Sequence, residues 1–200
     1  MKKLGFMKDA LILFVITLIS GVLLGGVYEV TKTIIAQRQE EAKLKTYQEV
    51  FMDATAFEEN TELTQKAAET DLSAYEKVTV DEVLDAKDAS GNVIGHLVTS
   101  TSKAGYGGEV TISIGITAEG EITGIGYLAL NETPGLGMKA SESEFKDQFA
   151  GKNAAQLTLV KGGGASGDDQ INAISGATVT SSAVTNAVNA ALFIVSESAN

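Results

Sequence analysis

The sequence predicts an α+β protein: an N-terminal transmembrane helix followed by one domain with a mostly antiparallel sheet covered by helices. Three observations carry this expectation. Ala10 to Val27 is an apolar run behind a lysine-bearing start. Val110, Ile112, Ile114 and Ile116 alternate with Thr111, Ser113, Gly115 and Thr117, the two-residue period of a strand with one face inward. Val184, Ala187, Val188, Ala191, Leu192 and Val195 recur at the spacing of one helix face, a stripe suited to covering a sheet.

The apolar run is broken only by Thr17, Ser20 and three glycines. Its eighteen residues cover ~27 Å as a helix, close to the hydrocarbon thickness of a bilayer. Tyr28 follows at the position of an interfacial aromatic. Lys2, Lys3 and Lys8 precede the run, so the N-terminus is expected in the cytoplasm and the remainder outside it, anchored in a cell membrane. A cleaved signal peptide is the rival reading, since Ser20-Gly21 and Gly25-Gly26 are small. The run is longer than a signal-peptide core, however, and no Ala-x-Ala site follows.

From Thr31 to about Met52 there is no Pro or Gly, and the sequence reads as a helix leaving the membrane. Phe51 to Asn60 reads as a loop, with a short helix beyond it. Strands are expected at Val78–Leu84 and Val93–Thr99, joined by the turn Ala89-Ser90-Gly91-Asn92, and at Ile122–Leu130 after Ala118-Glu119-Gly120-Glu121. Ser141 to Phe149 reads as a short helix capped by Ser141, with Glu144 three residues on. Leu157–Val160 leads into the flexible loop Gly162–Gly167, and a final helix begins near Ser181. The expected organisation is thus an N-terminal tip and anchor over 1–30, a helical stalk leading into the domain over 31–75, and the folded domain over 76–200.

Composition excludes several function classes. The chain has 200 residues, 44% of them apolar, and a formal net charge of -11. An acidic domain of this kind repels nucleic-acid phosphates, so no nucleic-acid partner is expected. There is no Cys, which removes disulfides, thiolate metal sites and iron–sulfur ligation. The one His, His96, cannot build a histidine metal site, and nothing around it in the sequence suggests a titrating partner. A nucleophile–His–carboxylate set cannot be assembled either, so no catalytic group and no metal ligand are expected. Redox chemistry here would need an organic cofactor.

The most informative stretch is Ile174-Ser175-Gly176-Ala177-Thr178-Val179-Thr180-Ser181-Ser182. Small residues and hydroxyls gather immediately before a helix, where free backbone N–H groups and the dipole suit a phosphate. Plain capping of that helix by Thr180 or Ser181 accounts for the same residues equally well. A second segment, Asn131-Glu132-Thr133-Pro134-Gly135-Leu136-Gly137, holds the only proline and reads by itself as a sharp turn after a strand.

Ser175-Gly176-Ala177-Thr178 followed by x-Thr-Ser is similar to the flavinylation motif of the FMN-binding domain family. The resemblance implies that Thr178 is esterified through the phosphate of FMN by a dedicated flavin transferase that uses FAD, with Ser175, Gly176 and Ala177 completing the motif. Where the family often has Asp three residues earlier, this chain has Asn172. Glu132-Thr133-Pro134-Gly135-Leu136-Gly137 resembles the flavin-facing loop of the G subunit of Rnf complexes and of the related C subunit of sodium-translocating NADH:quinone reductases. Gly105-Tyr106-Gly107-Gly108-Glu109 is similar to the same family. The resemblance implies a membrane-anchored electron carrier with covalent FMN. Ser175 and Thr180 would position the phosphate, and Glu132, Thr133 and Leu136 would line the ring. Other membrane subunits of an ion-translocating ferredoxin:NAD oxidoreductase complex would be its partners. A quinone-reductase C subunit is an alternative within this class, and a non-redox anchored binding or scaffold domain is one outside it.

Overall fold

The computed structural model describes residues 2–198, and side chains from Met7 to Glu197. The side chains of Lys2 and Lys3, part of the expected positive flank, lie outside the described residues. The chain divides into a helical unit up to Lys43 and a larger unit from Leu44 onward.

Helix α1, Lys2–Val50, is continuous, so the helix expected from Thr31 does not begin separately. Its apolar residues from Leu11 to Leu24 are exposed, as a segment long and apolar enough to cross a bilayer would be. Two hydroxyls of α1 return to the helix itself: Thr17 donates to the Leu13 carbonyl at 3.0 Å and Thr31 to that of Val27 at 2.9 Å. Polar side chains satisfied in this way are compatible with hydrocarbon.

The larger unit is built on a five-stranded antiparallel meander. Its strands are β1 (Ala56–Glu59), β2 (Val78–Lys87), β3 (Val93–Ser102), β4 (Val110–Thr117) and β5 (Ile122–Leu130), in that spatial order. Strand β1 stands where a loop was expected, pairing Phe57 with Ala86 and Glu59 with Leu84. Its four residues carry no alternation that could be read in advance. Helix α2, Thr61–Glu69, follows and is capped by Asn60, whose Oδ1 accepts from Leu63 N at 2.9 Å.

Helix α4, Thr178–Ser198, covers one face of the sheet. Val184, Ala187, Val188 and Ala191 join Val98, Ile112, Ile114 and Ile116 in the main core, where each Val or Ile contributes about 1.5–3 kcal/mol by burial. The opposite face is also covered, contrary to the half-buried strand expected for β4. The segment Thr46–Phe51 lies on it, with Tyr47 and Val50 against Leu84 and Leu97. Glycines make the room: a Cβ on Gly115 would stand 3.1 Å from Val50 Cγ1, and one on Gly126 2.8 Å from Val50 Cγ2. Thr123 closes the contact by donating to the Val50 carbonyl at 2.6 Å, and the Tyr47 hydroxyl donates to Glu82 at 2.8 Å.

Two further expectations, on Ser141 and His96, are corrected, and a second small sheet is added. Ser141 ends a 3-10 turn, Gly137–Ser141, and donates to the Met138 carbonyl at 2.9 Å. Helix α3, Ser143–Lys146, therefore follows Glu142 without a side-chain cap. The segment after Leu157 is β6, Thr158–Val160, which pairs in parallel with β7, Gln170–Asn172, on the far side of the glycine loop. His96 does have a partner, since its Nδ1 lies 3.0 Å from Asp85 Oδ1 across the β2–β3 ladder.

Candidate functional site

Ile174 to Ala177 forms a tight turn, closed by Ala177 N donating to the Ile174 carbonyl at 3.0 Å. Ser175 and Gly176 are its central residues, and the φ of +78° at Gly176 is the left-handed value that a type II turn needs at that place. Helix α4 starts directly afterwards at Thr178, three residues earlier than expected, and its first backbone bond runs from Ser181 N to the Ala177 carbonyl at 3.0 Å. Ala177 therefore occupies the capping position, and its methyl group offers no acceptor. The N–H groups of Thr178, Val179 and Thr180 have no acceptor within the helix. Among the described residues no side chain caps them.

The expectation that Thr180 or Ser181 caps the helix is thereby corrected, because both lie inside its first turn. Ser181 is fully buried and has a different task. Its Oγ accepts from Ile174 N at 2.9 Å and donates to the Ala177 carbonyl at 2.9 Å, which fastens the turn to the helix.

Two clefts meet at Gly176 and Thr178, which line both. One, of about 470 Å³, is walled by Thr133, Leu136, Gly137, Ala177, Val179 and Thr180, with Glu132 at its base and Tyr106 at its mouth. That volume lies within the ordinary range for small-molecule sites. Its lining is predominantly apolar, with a few backbone donors at one end. The other cleft, of about 750 Å³, is bounded by Ser175, Asn172, Gln148, Lys139, Lys161 and the glycine loop. The structure thus brings Thr178 together with Thr133, Leu136 and Thr180, and it turns Ser175 toward the opposite cleft.

Glu132 is only 8% exposed, and both of its carboxylate oxygens are engaged by backbone. Oε1 accepts from Tyr106 N at 2.8 Å and Oε2 from Gly107 N at 3.0 Å. It clamps the β3–β4 loop to the loop after β5, a role its sequence position did not reveal. Thr180 is 1% exposed and packs at Gly137, where an added Cβ would lie 2.6 Å from Thr180 Oγ1 and 2.8 Å from Glu132 Oε2. Asn172 holds the glycine loop, its Oδ1 accepting from Ala165 N at 2.9 Å, while its own N–H donates to Gln148 at 2.8 Å. Tyr106, Gly137 and Val179 line the smaller cleft without having been singled out as site residues. The Gly-Tyr-Gly-Gly run was the signal for Tyr106, while Gly137 and Val179 stand within the two other quoted stretches.

An isoalloxazine fits the apolar walls of the smaller cleft, and a phosphate fits the uncapped start of α4. Comparison with known proteins points to the same cofactor. The FMN-binding domain family matches residues 105–193, and the RnfG N-terminal region matches residues 1–50. The G subunit of the Na(+)-translocating ferredoxin:NAD(+) oxidoreductase complex of Acetobacterium woodii is 38% identical over 183 residues, 91% of this chain and 87% of its own length. The G subunit of the proton-translocating ferredoxin:NAD(+) oxidoreductase complex of Clostridium ljungdahlii is 33% identical over 174 residues, 87% of this chain and 83% of its own length. The crystal structure of Shewanella oneidensis NqrC shares the fold, with a TM-score of 0.52 at 21% identity over 76% of this chain and 74% of that one.

Proposed function

We infer the function from one premise: this chain belongs to the G-subunit family of ion-translocating oxidoreductase complexes. It is a membrane-anchored electron carrier that holds FMN covalently on Thr178 and works among the other membrane subunits of a ferredoxin:NAD oxidoreductase complex. The observation that carries this reading is the placement of Thr178. It is the first residue of α4, beside N–H groups that no side chain caps, at the junction of an apolar cleft and a wider polar one.

Bound FMN supplies a ring that accepts and releases electrons. The chain's residues supply everything that fixes its position. Thr178 would hold the cofactor through its hydroxyl oxygen, which would take the FMN phosphoryl group of FAD, with AMP as the leaving group and the hydroxyl proton released. A flavin transferase carries out that step. The first-turn N–H groups of α4 then face the remaining phosphodiester charge. Thr133 and Leu136 would flank the ring, Glu132 would hold the wall behind it, and Ser175 would border the polar side. The tether removes any need to enclose the cofactor, so an open cleft suffices and partners can approach closely.

The anchor crosses the bilayer through Ala10–Val27, with the N-terminus cytoplasmic and the flavin domain outside. Electrons pass between neighbouring redox subunits, in a complex whose overall transfer between ferredoxin and NAD drives Na⁺ or H⁺. The names of the two relatives differ in the ion moved.

The test is coexpression with a flavin transferase followed by a denaturing gel. Wild-type protein gives a fluorescent flavin band whose intact mass includes one FMN, and Thr178→Val gives a dark band. A fluorescent Thr178→Val band, or wild-type protein without flavin when the transferase is active, ends the assignment.

A further inference from the structure

Tyr106 is out of keeping with its surroundings. Its side chain is 75% exposed, yet its backbone is bound to a buried carboxylate. Its N–H donates to Glu132 Oε1 at 2.8 Å, and the next N–H, of Gly107, donates to Oε2 at 3.0 Å. These are charge-assisted bonds to a carboxylate that is itself buried. Both flanking glycines are in close contact. A Cβ on Gly105 would stand 3.1 Å from Glu132 Oε1, and one on Gly107 would stand 2.5 Å from the Asn131 carbonyl. A loop fixed in this manner offers its aromatic ring to solvent at the mouth of the smaller cleft, across from Leu136 and Val179, which are also exposed.

An exposed tyrosine on a mobile loop would call for no explanation. One held by a buried carboxylate at the rim of an apolar cleft is a preformed wall. Cofactor clefts owe affinity to such preorganisation, because a wall already in place loses little freedom when the ligand arrives.

We propose that Tyr106 forms the outer wall of the flavin site, packing its ring against the isoalloxazine, and that Glu132 is the positioning residue that holds it there. The proposal rests on the reading of Thr178 as the FMN carrier, and it goes further by assigning a cover to the cofactor and a clamp to the cover. Glu132 does not touch the ring in this arrangement. Its two oxygens are already taken, and it acts through the Tyr106 backbone.

Native-state fluorescence tests this separately from attachment. A phenol in contact with an excited isoalloxazine gives it one electron and receives the electron back, so emission is quenched with no net reaction. Full-length protein loaded by the transferase is compared in detergent before and after unfolding. Wild-type flavin is expected to be weakly emissive when folded and to brighten severalfold on unfolding. Tyr106→Leu should be severalfold brighter when folded, with the same band on a denaturing gel, and Tyr106→Trp should restore the quenching. Glu132→Gln keeps the shape of the side chain but can accept only one of the two N–H groups. Its folded emission should rise toward that of Tyr106→Leu, and the anisotropy should fall. Equal folded emission from wild type and Tyr106→Leu, both carrying covalent flavin, overturns the proposal and leaves the Thr178 assignment standing. Absence of flavin on every variant overturns the Thr178 assignment and this proposal with it.

Discussion

The hydroxyl oxygen of Ser181 receives the backbone N–H of Ile174 at 2.9 Å, so the first turn of α4 secures the turn that precedes it. The same hydroxyl donates to the Ala177 carbonyl, which makes Ser181 a two-way fastener under the Ser175–Thr178 motif. Ser181→Ala leaves a partly buried N–H without an acceptor and should cost about 1–2 kcal/mol. Denaturant unfolding of the full chain in detergent measures this. Flavin incorporation should also fall, because the turn is no longer held against the helix start.

Gly137 sits between Thr180 and Glu132 with no space for a methyl group. Gly137→Ala is expected to destabilise by about 1–3 kcal/mol, the usual range for overpacking. It should also displace Thr180 or Glu132 from the wall of the smaller cleft. Reduced flavin loading in a denaturing gel, at matched protein levels, checks the second effect.

Tyr127 is largely buried, and its hydroxyl has no hydrogen-bond partner among the described residues. Burial pushes its phenol far above the ordinary value of 10.0, so in the folded protein it stays protonated. In the unfolded chain it ionises as the pH passes about 10. Stability is therefore full below that pH and declines above it, by about 1.4 kcal/mol per pH unit from this group. Tyr127→Phe should remove this group's share of the alkaline decline. It should also raise stability at neutral pH by about 1 kcal/mol, since an unpaired buried hydroxyl is lost. Unfolding curves at neutral and alkaline pH provide both readings.

Asn172 Oδ1 accepts from Ala165 N and holds the glycine loop that borders the larger cleft. Asn172→Asp keeps that acceptor and should leave stability within about 0.5 kcal/mol and flavin loading intact. Asn172→Leu removes the acceptor and should free the loop. Limited proteolysis near Gly162–Gly164 would then proceed faster in the Leu variant than in the Asp variant.

The elements legible in the sequence are those whose burial follows a simple period. Ile112, Ile114 and Ile116 announce β4, and the stripe from Val184 to Leu192 announces α4, because each presents one apolar face to one core. The second face of the sheet was hidden, since its cover is a short stretch of helix, Thr46–Phe51, and its groove is made of absent side chains at Gly115 and Gly126. Strands β1, β6 and β7 have four residues or fewer, too short for any period. At the site, the motif containing Thr178 was readable by resemblance. The clamp between Glu132 and the Tyr106 amide spans 26 residues of sequence and is fixed only by strand pairing. The partnership of His96 with Asp85 was invisible for the same reason.

Helix α4 follows β1 to β7 in the chain, and it rests on β2, β3 and β4. During synthesis, the ribosome therefore releases Thr178 only after every strand that supports it. An unfinished or unfolded polypeptide offers this threonine on a coil, without the aligned N–H groups beside it. If the proposed attachment uses those N–H groups, it would need the completed fold, and a product truncated before α4 would lack the acceptor altogether.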